Sequence, residues 1–241
     1  MQRTGSVSEV TERSLILDFD GTVCVGHGPA LVYARQAAGL HPDLADLAER
    51  VERYCGGEAM EEFEGAPDGY IAVQRRATTQ GVPISALQAA FMEARRQLAD
   101  TGLDTRAPEG LRPLLDELRA AGTRLLLVTN APPHGLDRML VRLGLDGAFD
   151  EVIADAGKPA GLGAILDGLG HPVAKDTVLS VGDIFLNDLS VPLERGASTA
   201  LIDPFDRVEG DPDVRARSFE ELIPFIRSWA GLDAARPVTS L

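Results

Sequence analysis

Residues 15–22, LILDFDGT, decide the fold that we predict for this chain. Three aliphatic residues followed at once by polar, turn-forming residues indicate a short buried strand that ends before Asp18. Asp18 and Asp20 are separated by one residue, and on an extended segment residues two apart point to the same side. Gly21 and Thr22 then permit a tight turn. The stretch therefore predicts a strand that delivers two carboxylates together at its carboxyl end.

Four further apolar runs repeat this pattern of a short strand followed by polar residues. Strands are predicted at 124–128, 149–154, 177–181 and 198–202, and polar clusters follow at Thr129-Asn130, Gly157-Lys158, Gly182-Asp183 and Asp203-Pro204. Leucines at helical spacing fill the intervals from residue 109 onward, and a last helix is predicted at 219–229. Strands that alternate with helices predict parallel pairing, and nearly continuous apolar strands predict a sheet covered on both faces. We therefore predict an α/β fold with a Rossmann-like, doubly wound parallel sheet.

Residues 28–107 interrupt this alternation, because they contain no strand pattern. Apolar residues recur at helical spacing over 44–54 and again over 87–98, and the segment 85–88, SALQ, is typical of a capping box at the start of the second helix. Gly102 is expected to end that helix. We predict a small all-helical cap domain at 28–107, inserted after the first strand into a core made of 1–27 and 108–241.

Composition narrows the classes of function. The chain has 241 residues, 44% of them hydrophobic, and a formal net charge of −14. This charge argues against nucleic acid and anionic membrane surfaces, which attract basic proteins. A small phosphorylated ligand stays compatible with it, because a bound divalent cation inverts the local field. Residues 1–13 are polar and no run approaches the roughly 20 apolar residues that span a bilayer, so we expect a cytoplasmic protein.

The polar clusters coincide with predicted strand ends, which is where open parallel sheets bind ligands. Neighbouring carboxylates repel one another unless a cation lies between them, and Mg²⁺ takes oxygen ligands. Asp183 and Asp188 follow the fourth strand, and we expect them to complete a Mg²⁺ site with Asp18 and Asp20.

Two other clusters favour an anionic ligand at the same edge. Thr129 and Asn130 offer a hydroxyl, an amide and backbone N–H groups just before a helix, which suits an oxyanion. Lys158, one of only two lysines, is placed to neutralise a carboxylate and an anionic ligand together. The other lysine, Lys175, is expected to be solvated.

Together these clusters resemble the four motifs of the haloacid dehalogenase-like superfamily. Residues 18–22 resemble its first motif, Thr129-Asn130 its second, Lys158 its third, and residues 182–188, GDIFLND, its fourth. The order and strand placement of the motifs agree over about residues 14–230. The position of the insertion resembles the subfamily with a helical C1-type cap.

The resemblance implies a Mg²⁺-dependent phosphatase that hydrolyses a small phosphorylated metabolite. It implies that Asp18 attacks phosphorus and forms an aspartyl-phosphate, and that Asp20 acts first as an acid and then as a base. It further implies that Mg²⁺ is held by the side chains of Asp18 and Asp183 and the backbone carbonyl of Asp20, with Asp188 in support. Thr129, Asn130 and Lys158 would then bind the phosphoryl oxygens.

The resemblance also leaves alternatives. Dehalogenases of the family lack the second carboxylate of the first motif, which is present here as Asp20. Phosphonate hydrolases of the family use a cap lysine, and residues 28–107 contain none. A sugar-phosphate mutase of the β-phosphoglucomutase type stays open, as does a metal-binding regulatory module without turnover.

Substrate identity and oligomeric state, monomer or homodimer, stay open at this stage. Tyr70, Arg75, Arg76 and Arg95 are candidate selectors of substrate in the cap, although each is more readily explained as a solvated or packing residue.

Overall fold

The computed structural model describes residues 12–233, in which six strands form one parallel sheet. The strands are β1 (Arg13–Leu17), β2 (Thr123–Val128), β3 (Glu151–Ile153), β4 (Val178–Gly182), β5 (Ser198–Ile202) and β6 (Val214–Ala216). Their order in the sheet is β3-β2-β1-β4-β5-β6. The predictions for residues 1–11 and 234–241 lie outside the described residues. The predicted doubly wound α/β sheet is confirmed.

The order of the strands places the ends of β1 and β4 at the centre of the sheet. The chain winds outward from β1 to β3 on one side and from β4 to β6 on the other, so the winding direction reverses between β1 and β4. Ligand sites of such sheets lie at this switch point, outside the carboxyl ends of the strands. The residues that follow Leu17 and Gly182 therefore occupy the position expected of a ligand site.

Alternating side chains of the central strands fill cores on both faces of the sheet. Leu15 and Leu17 belong to one buried cluster with Leu125, whereas Ile16 and Leu126 belong to a second cluster on the opposite face. All five are at most 2% exposed. This two-sided burial explains why the strands are nearly continuous apolar runs rather than alternating ones.

Nine α-helices are found in the described residues, and the first four of them lie in the insert 28–107 that follows β1. These four are α1 (Gly28–Ala38), α2 (Leu47–Cys55), α3 (Gly69–Thr79) and α4 (Ile84–Thr101). The helices of the sheet layers are α5 (Leu111–Ala120), α6 (Leu136–Arg142), α7 (Leu162–Asp167), α8 (Ser190–Glu194) and α9 (Phe219–Trp229). Within residues 12–233, none of these helices is both long and apolar enough to cross a membrane.

The four inserted helices form a cap with a hydrophobic cluster of its own. Its buried side chains include Leu44, Val51, Val73 and Leu87, contributed by different parts of the insert. The two chain segments that connect the cap to the sheet lie side by side, since Val25 and Arg106 exchange backbone hydrogen bonds of 2.9 and 3.0 Å. The helical insertion after the first strand is thus confirmed.

Details of the cap differ from the sequence-based expectation. The predicted capping box at Ser85 is wrong: α4 begins at Ile84, and Pro83 occupies the capping position without a side-chain cap. Proline fixes the backbone at φ −62° there, so the helix starts directly after it. Gly102 ends α4 in the left-handed region, at φ 80°, as predicted.

Candidate active site

Four strand ends converge on one group of polar side chains. Asp18 follows β1, Thr129 follows β2, Lys158 lies in the loop after β3, and Asp183 and Asp188 follow β4. Gly21 has φ +81°, and a Cβ at this position would collide with the Asp183 carboxylate. Glycine therefore serves two purposes here, because it permits both the turn after β1 and the close approach of the β4 loop.

Lys158 joins the loops through two ion pairs. Its Nζ lies 2.5 Å from Asp18 Oδ1 and 2.6 Å from Asp188 Oδ1, and its side chain is only 3% exposed. Burial lowers the pKa of Lys158, but the carboxylates of Asp18 and Asp188 outweigh burial and raise it above its usual value. Lys158 is therefore a charged ammonium group that bridges two acidic side chains.

Asn130 fixes the position of Lys158. The backbone N–H of Lys158 donates to Asn130 Oδ1 at 2.7 Å, and Asn130 Nδ2 donates to the Lys158 carbonyl at 3.0 Å. Both ends of the amide thus bind the backbone of Lys158, which fixes the loop that carries the lysine. The neighbouring Thr129 hydroxyl accepts the Ala131 N–H at 3.0 Å and keeps its own proton for donation.

Three carboxylates crowd around this lysine. Oxygens of Asp18, Asp183 and Asp188 lie within 4.8 Å of one another. Burial, followed by the charge of Asp188, raises the pKa of Asp18 to about 8. Burial and then the charges of Asp18 and Asp188 raise the pKa of Asp183 well above its usual value, and burial raises that of Asp188. One ammonium group cannot neutralise three carboxylates, and a divalent cation would supply the missing positive charge.

The three carboxylates are not equally free to hold a cation. Asp188 has both oxygens engaged, Oδ1 with Lys158 and Oδ2 with the Ile184 N–H at 2.9 Å. Asp183 is partly exposed, and its carboxylate accepts no hydrogen bond from any residue between 12 and 233. The donor set is therefore best suited to a cation held by Asp18 and Asp183, with Asp188 as a neighbour that orients the lysine.

The carboxylate of Asp20 is bound by a residue of the cap. Arg95 Nη1, from α4, donates to both oxygens of Asp20 at 2.7 and 2.9 Å. The extended strand ends at Leu17, and the N–H groups of Val23 and Cys24 both donate to the Phe19 carbonyl, so Asp20 lies in the turn that follows β1. Asp20 therefore contacts the cap, whereas Asp18 contacts the sheet loops.

A cavity of about 290 Å³ lies between these loops and the cap. All seven site residues predicted from the sequence line it: Asp18, Asp20, Thr129, Asn130, Lys158, Asp183 and Asp188. The cap contributes Tyr70 and Phe91 to the opposite wall, together with Asp68, whose carboxylate caps α3 by accepting the Ile71 N–H at 2.7 Å. Burial raises the pKa of Asp68 to about 6. The arrangement can hold a cation and an anionic group on one side and an organic group on the other.

A comparison with protein families agrees with this geometry. A family model described as haloacid dehalogenase-like hydrolase matches residues 13–190, about three quarters of the chain. The chain belongs to the haloacid dehalogenase-like hydrolases. The matched range contains all seven site residues. No curated protein sequence gives a significant match.

Solved structures share the fold of this haloacid dehalogenase-like hydrolase at low sequence identity. A predicted phosphoglycolate phosphatase of Haemophilus somnus 129PT is 18% identical, with a TM-score of 0.60 over 89% of this chain and 98% of that one. A HAD family hydrolase of Deinococcus radiodurans R1, with bound phosphate and sodium, is 20% identical, with a TM-score of 0.57 over 93% and 98%. The L-2-haloacid dehalogenase RSc1362 is 19% identical, with a TM-score of 0.53 over 90% and 99%. The fold is therefore common to phosphatases and dehalogenases, and only the site can distinguish them.

The contact between Arg95 and Asp20 in this hydrolase was not predicted from the sequence. Arg95 was a candidate substrate selector, but it is 4% exposed and bound to Asp20, with its guanidinium 5.7 Å from the centroid of the Phe19 ring. A signal was present, because Arg95 continues the apolar stripe of α4 formed by Leu87, Phe91 and Leu98. A charged residue on a buried stripe requires a partner of opposite charge.

The other two arginine candidates lie away from the cavity. Arg76 pairs with Glu62 at 3.2 Å, and Arg75 reaches the Glu64 carbonyl at 3.5 Å. Neither lines the cavity.

Proposed function

We propose that this protein is a Mg²⁺-dependent phosphatase that hydrolyses a small phosphorylated metabolite in the cytoplasm through an aspartyl-phosphate on Asp18. The proposal rests on one observation: the carboxylates of Asp18 and Asp20 have different partners. Asp18 is held by Lys158 within the acidic cluster, while Asp20 faces the cap, on the side where an alcohol would leave. Residues 28–107 are proposed as the cap that covers this site.

Mg²⁺ fits the donor set. The cluster offers only oxygen ligands, which Mg²⁺ prefers, and it carries more negative charge than Lys158 can neutralise. Asp18 and Asp183 would hold the ion, with the backbone carbonyl of Asp20 as the ligand that the family resemblance implies. When bound, Mg²⁺ would neutralise charge on the carboxylates and on the phosphoryl oxygens.

Mg²⁺ is expected to stabilise the folded protein, and Asp183→Asn is expected to remove most of that effect. A ligand at 100 times its dissociation constant adds about 2.7 kcal/mol to the free energy of unfolding. Urea denaturation with Mg²⁺ and with EDTA measures the difference. The matched control is Asp211→Asn, at an exposed aspartate outside the cluster. Equal Mg²⁺ stabilisation of both variants would contradict the assignment of Asp183.

The proposed reaction has two displacements at phosphorus. A carboxylate oxygen of Asp18 attacks the phosphoryl group, the bond from phosphorus to the alcohol oxygen breaks, and Asp20 delivers a proton to that oxygen. Asp20 then accepts a proton from a water molecule, which attacks the aspartyl-phosphate and releases inorganic phosphate and free Asp18. Lys158 and the Thr129 hydroxyl stabilise the phosphoryl oxygens in both steps.

Asp20 needs to move for the first step. Both of its oxygens face Arg95 Nη1, so one of them has to turn toward the leaving oxygen before it can deliver a proton. We propose that Asp20, carrying the proton that it accepted from water in the previous turnover, turns toward the leaving oxygen once the phosphoryl group lies beside Asp18. Arg95 would then limit how far the carboxylate turns.

Phosphate release from p-nitrophenyl phosphate tests the function. The full chain is assayed with Mg²⁺ and with EDTA, and nitrophenol and inorganic phosphate are measured separately. We expect Mg²⁺-dependent release of the two products in equal amounts. Nitrophenol released while the phosphoryl group appears on an added sugar phosphate would indicate a mutase. Chloride release from L-2-chloropropionate without phosphatase activity would indicate a dehalogenase, and no turnover would indicate a regulatory module.

Asp20→Asn is expected to slow the second step more than the first. Nitrophenol leaves without needing much protonation, whereas attack by water loses its base, and general acid–base catalysis contributes about 10²- to 10⁴-fold. Rapid mixing should therefore show a burst of about one nitrophenol per protein, followed by slow turnover. A variant with wild-type steady-state turnover would rule out the role assigned to Asp20.

A further inference from the structure

The cap wall of the cavity is apolar and aromatic. Tyr33, Tyr70 and Phe91 line it, and their rings pack against one another with centroid separations of 5.8–6.3 Å. The polar side chains contributed by helices α3 and α4 are those of Gln74 and Gln88, which are neutral amides. Sites that recognise a carboxylate or a second phosphate use Arg or Lys for that purpose.

Few positively charged side chains lie near the cavity, and those are already bound to carboxylates. Among the described residues that line it, five are aspartates and Lys158 is the single cation. Its Nζ is bound to Asp18 and Asp188. The guanidinium of Arg95 approaches from α4, but it is bound to Asp20.

A bound Mg²⁺ would not remove the excess of negative charge on the cap side of the cavity. It would lie in the acidic cluster, where its charge offsets that of the incoming phosphoryl group. Asp68 adds a carboxylate on the cap side of the cavity, at the start of α3. A negative charge on the alcohol would therefore meet carboxylates and neutral groups there, with no free cation among the lining residues that lie within 12–233.

From this arrangement, and resting on the proposed phosphatase function, we infer that the cavity selects phosphomonoesters whose alcohol is apolar or aromatic and carries no negative charge. The cavity volume of about 290 Å³ lies at the lower end for small-molecule sites, which suits an alcohol with one ring or a short chain. The two glutamines supply hydrogen bonds to neutral hydroxyl or carbonyl groups of such an alcohol.

A pair of substrates matched in size tests the inference. 4-Carbamoylphenyl phosphate and 4-carboxyphenyl phosphate differ by an amide in place of a carboxylate, far from phosphorus. We expect kcat/KM to be about tenfold or more higher for the carbamoyl ester, because a second negative charge in a cavity lined by five aspartates is disfavoured. A ratio near one, or a preference for the carboxylate, would overturn the inference.

Two variants test whether the missing cation is the cause. Gln74→Arg and Gln88→Arg each place a guanidinium at the cap wall, and we expect either to raise kcat/KM for the carboxyphenyl ester and to lower the ratio. The matched control is Gln36→Arg, at an exposed position of α1 outside the cavity. If Gln36→Arg lowers the ratio equally, net charge rather than the cavity sets the preference, and the inference fails.

The outcomes separate this inference from the proposed function. If p-nitrophenyl phosphate and both test esters release no phosphate, the phosphatase proposal has failed. If p-nitrophenyl phosphate is hydrolysed but the carboxyphenyl ester is the better test substrate, or neither test ester is hydrolysed, the phosphatase proposal stands and the charge selection is wrong.

Discussion

Asp18→Asn is expected to lower kcat for phosphomonoester hydrolysis by about 10⁴-fold or more, because losing a covalent nucleophile removes the reaction path itself. Asparagine keeps the size of the side chain and can still accept a hydrogen bond from Lys158. It cannot form an aspartyl-phosphate. Acid-quenched samples analysed by intact mass should therefore show a phosphorylated fraction for the native chain and none for the variant.

The loss of activity in Asp18→Asn should not come from unfolding. Asp18 is 8% exposed and lies beside Asp188, and these surroundings raise its pKa to about 8, so the folded state gains little from its charge. We expect urea denaturation of the metal-free variant to show stability equal to or above that of the native chain. Asp116→Asn, at an exposed helix position, controls for the substitution itself. Substantial activity or phosphorylation in Asp18→Asn would exclude Asp18 as the nucleophile.

The sheet could be predicted from sequence because most of its strands can be recognised from short stretches of sequence. Each predicted strand is a short apolar run that ends in polar residues, and parallel topology then brings all those ends to one edge. Lys158 and Asp18 are 140 residues apart, yet their contact follows from this rule alone. β6 was missed because it has three residues, Val214–Ala216, with an arginine in the middle.

The cap was harder to predict because its structure depends on packing rather than on pattern. Helices α1 and α3 begin at Gly28 and Gly69, and the low helix propensity of glycine obscures both starts in the sequence. The contact between Arg95 and Asp20 joins residues 75 positions apart in different layers. Side-chain direction after a strand end, as at Asp20, likewise depends on turn hydrogen bonds that composition does not determine.

Lys158→Met is expected to destabilise the metal-free protein by about 3–5 kcal/mol, as when one partner of a buried ion pair is removed. Methionine matches the lysine in length, so packing is preserved while Asp18 and Asp188 are left facing each other without a cation. We also expect kcat to fall by about 10²- to 10³-fold, the usual cost of losing one group that stabilises developing charge. Urea denaturation and phosphate release measure the two effects.

The destabilisation should depend on pH in a defined direction. The pKa of Asp18 is about 8 in the folded state and about 3.9 in an unfolded chain, so the folded state binds more protons between these values. The stability of the metal-free protein therefore falls as pH rises from about 4 to 8. Lys158 lowers the pKa of Asp18, so its removal should raise that pKa and extend this fall to higher pH. The variant should differ from the native chain more at pH 8 than at pH 5.

Lys175→Met is a matched control, because it replaces the other lysine of the chain. Lys175 pairs with Asp213, but its side chain is 64% exposed, and exposed ion pairs contribute at most about 1 kcal/mol. Adding Asp188→Asn to Lys158→Met should restore part of the lost stability by removing one of the facing charges, without restoring turnover. Equal effects of the two lysine substitutions, or no recovery in the double variant, would show that Lys158 is not the cation that holds the acidic cluster together.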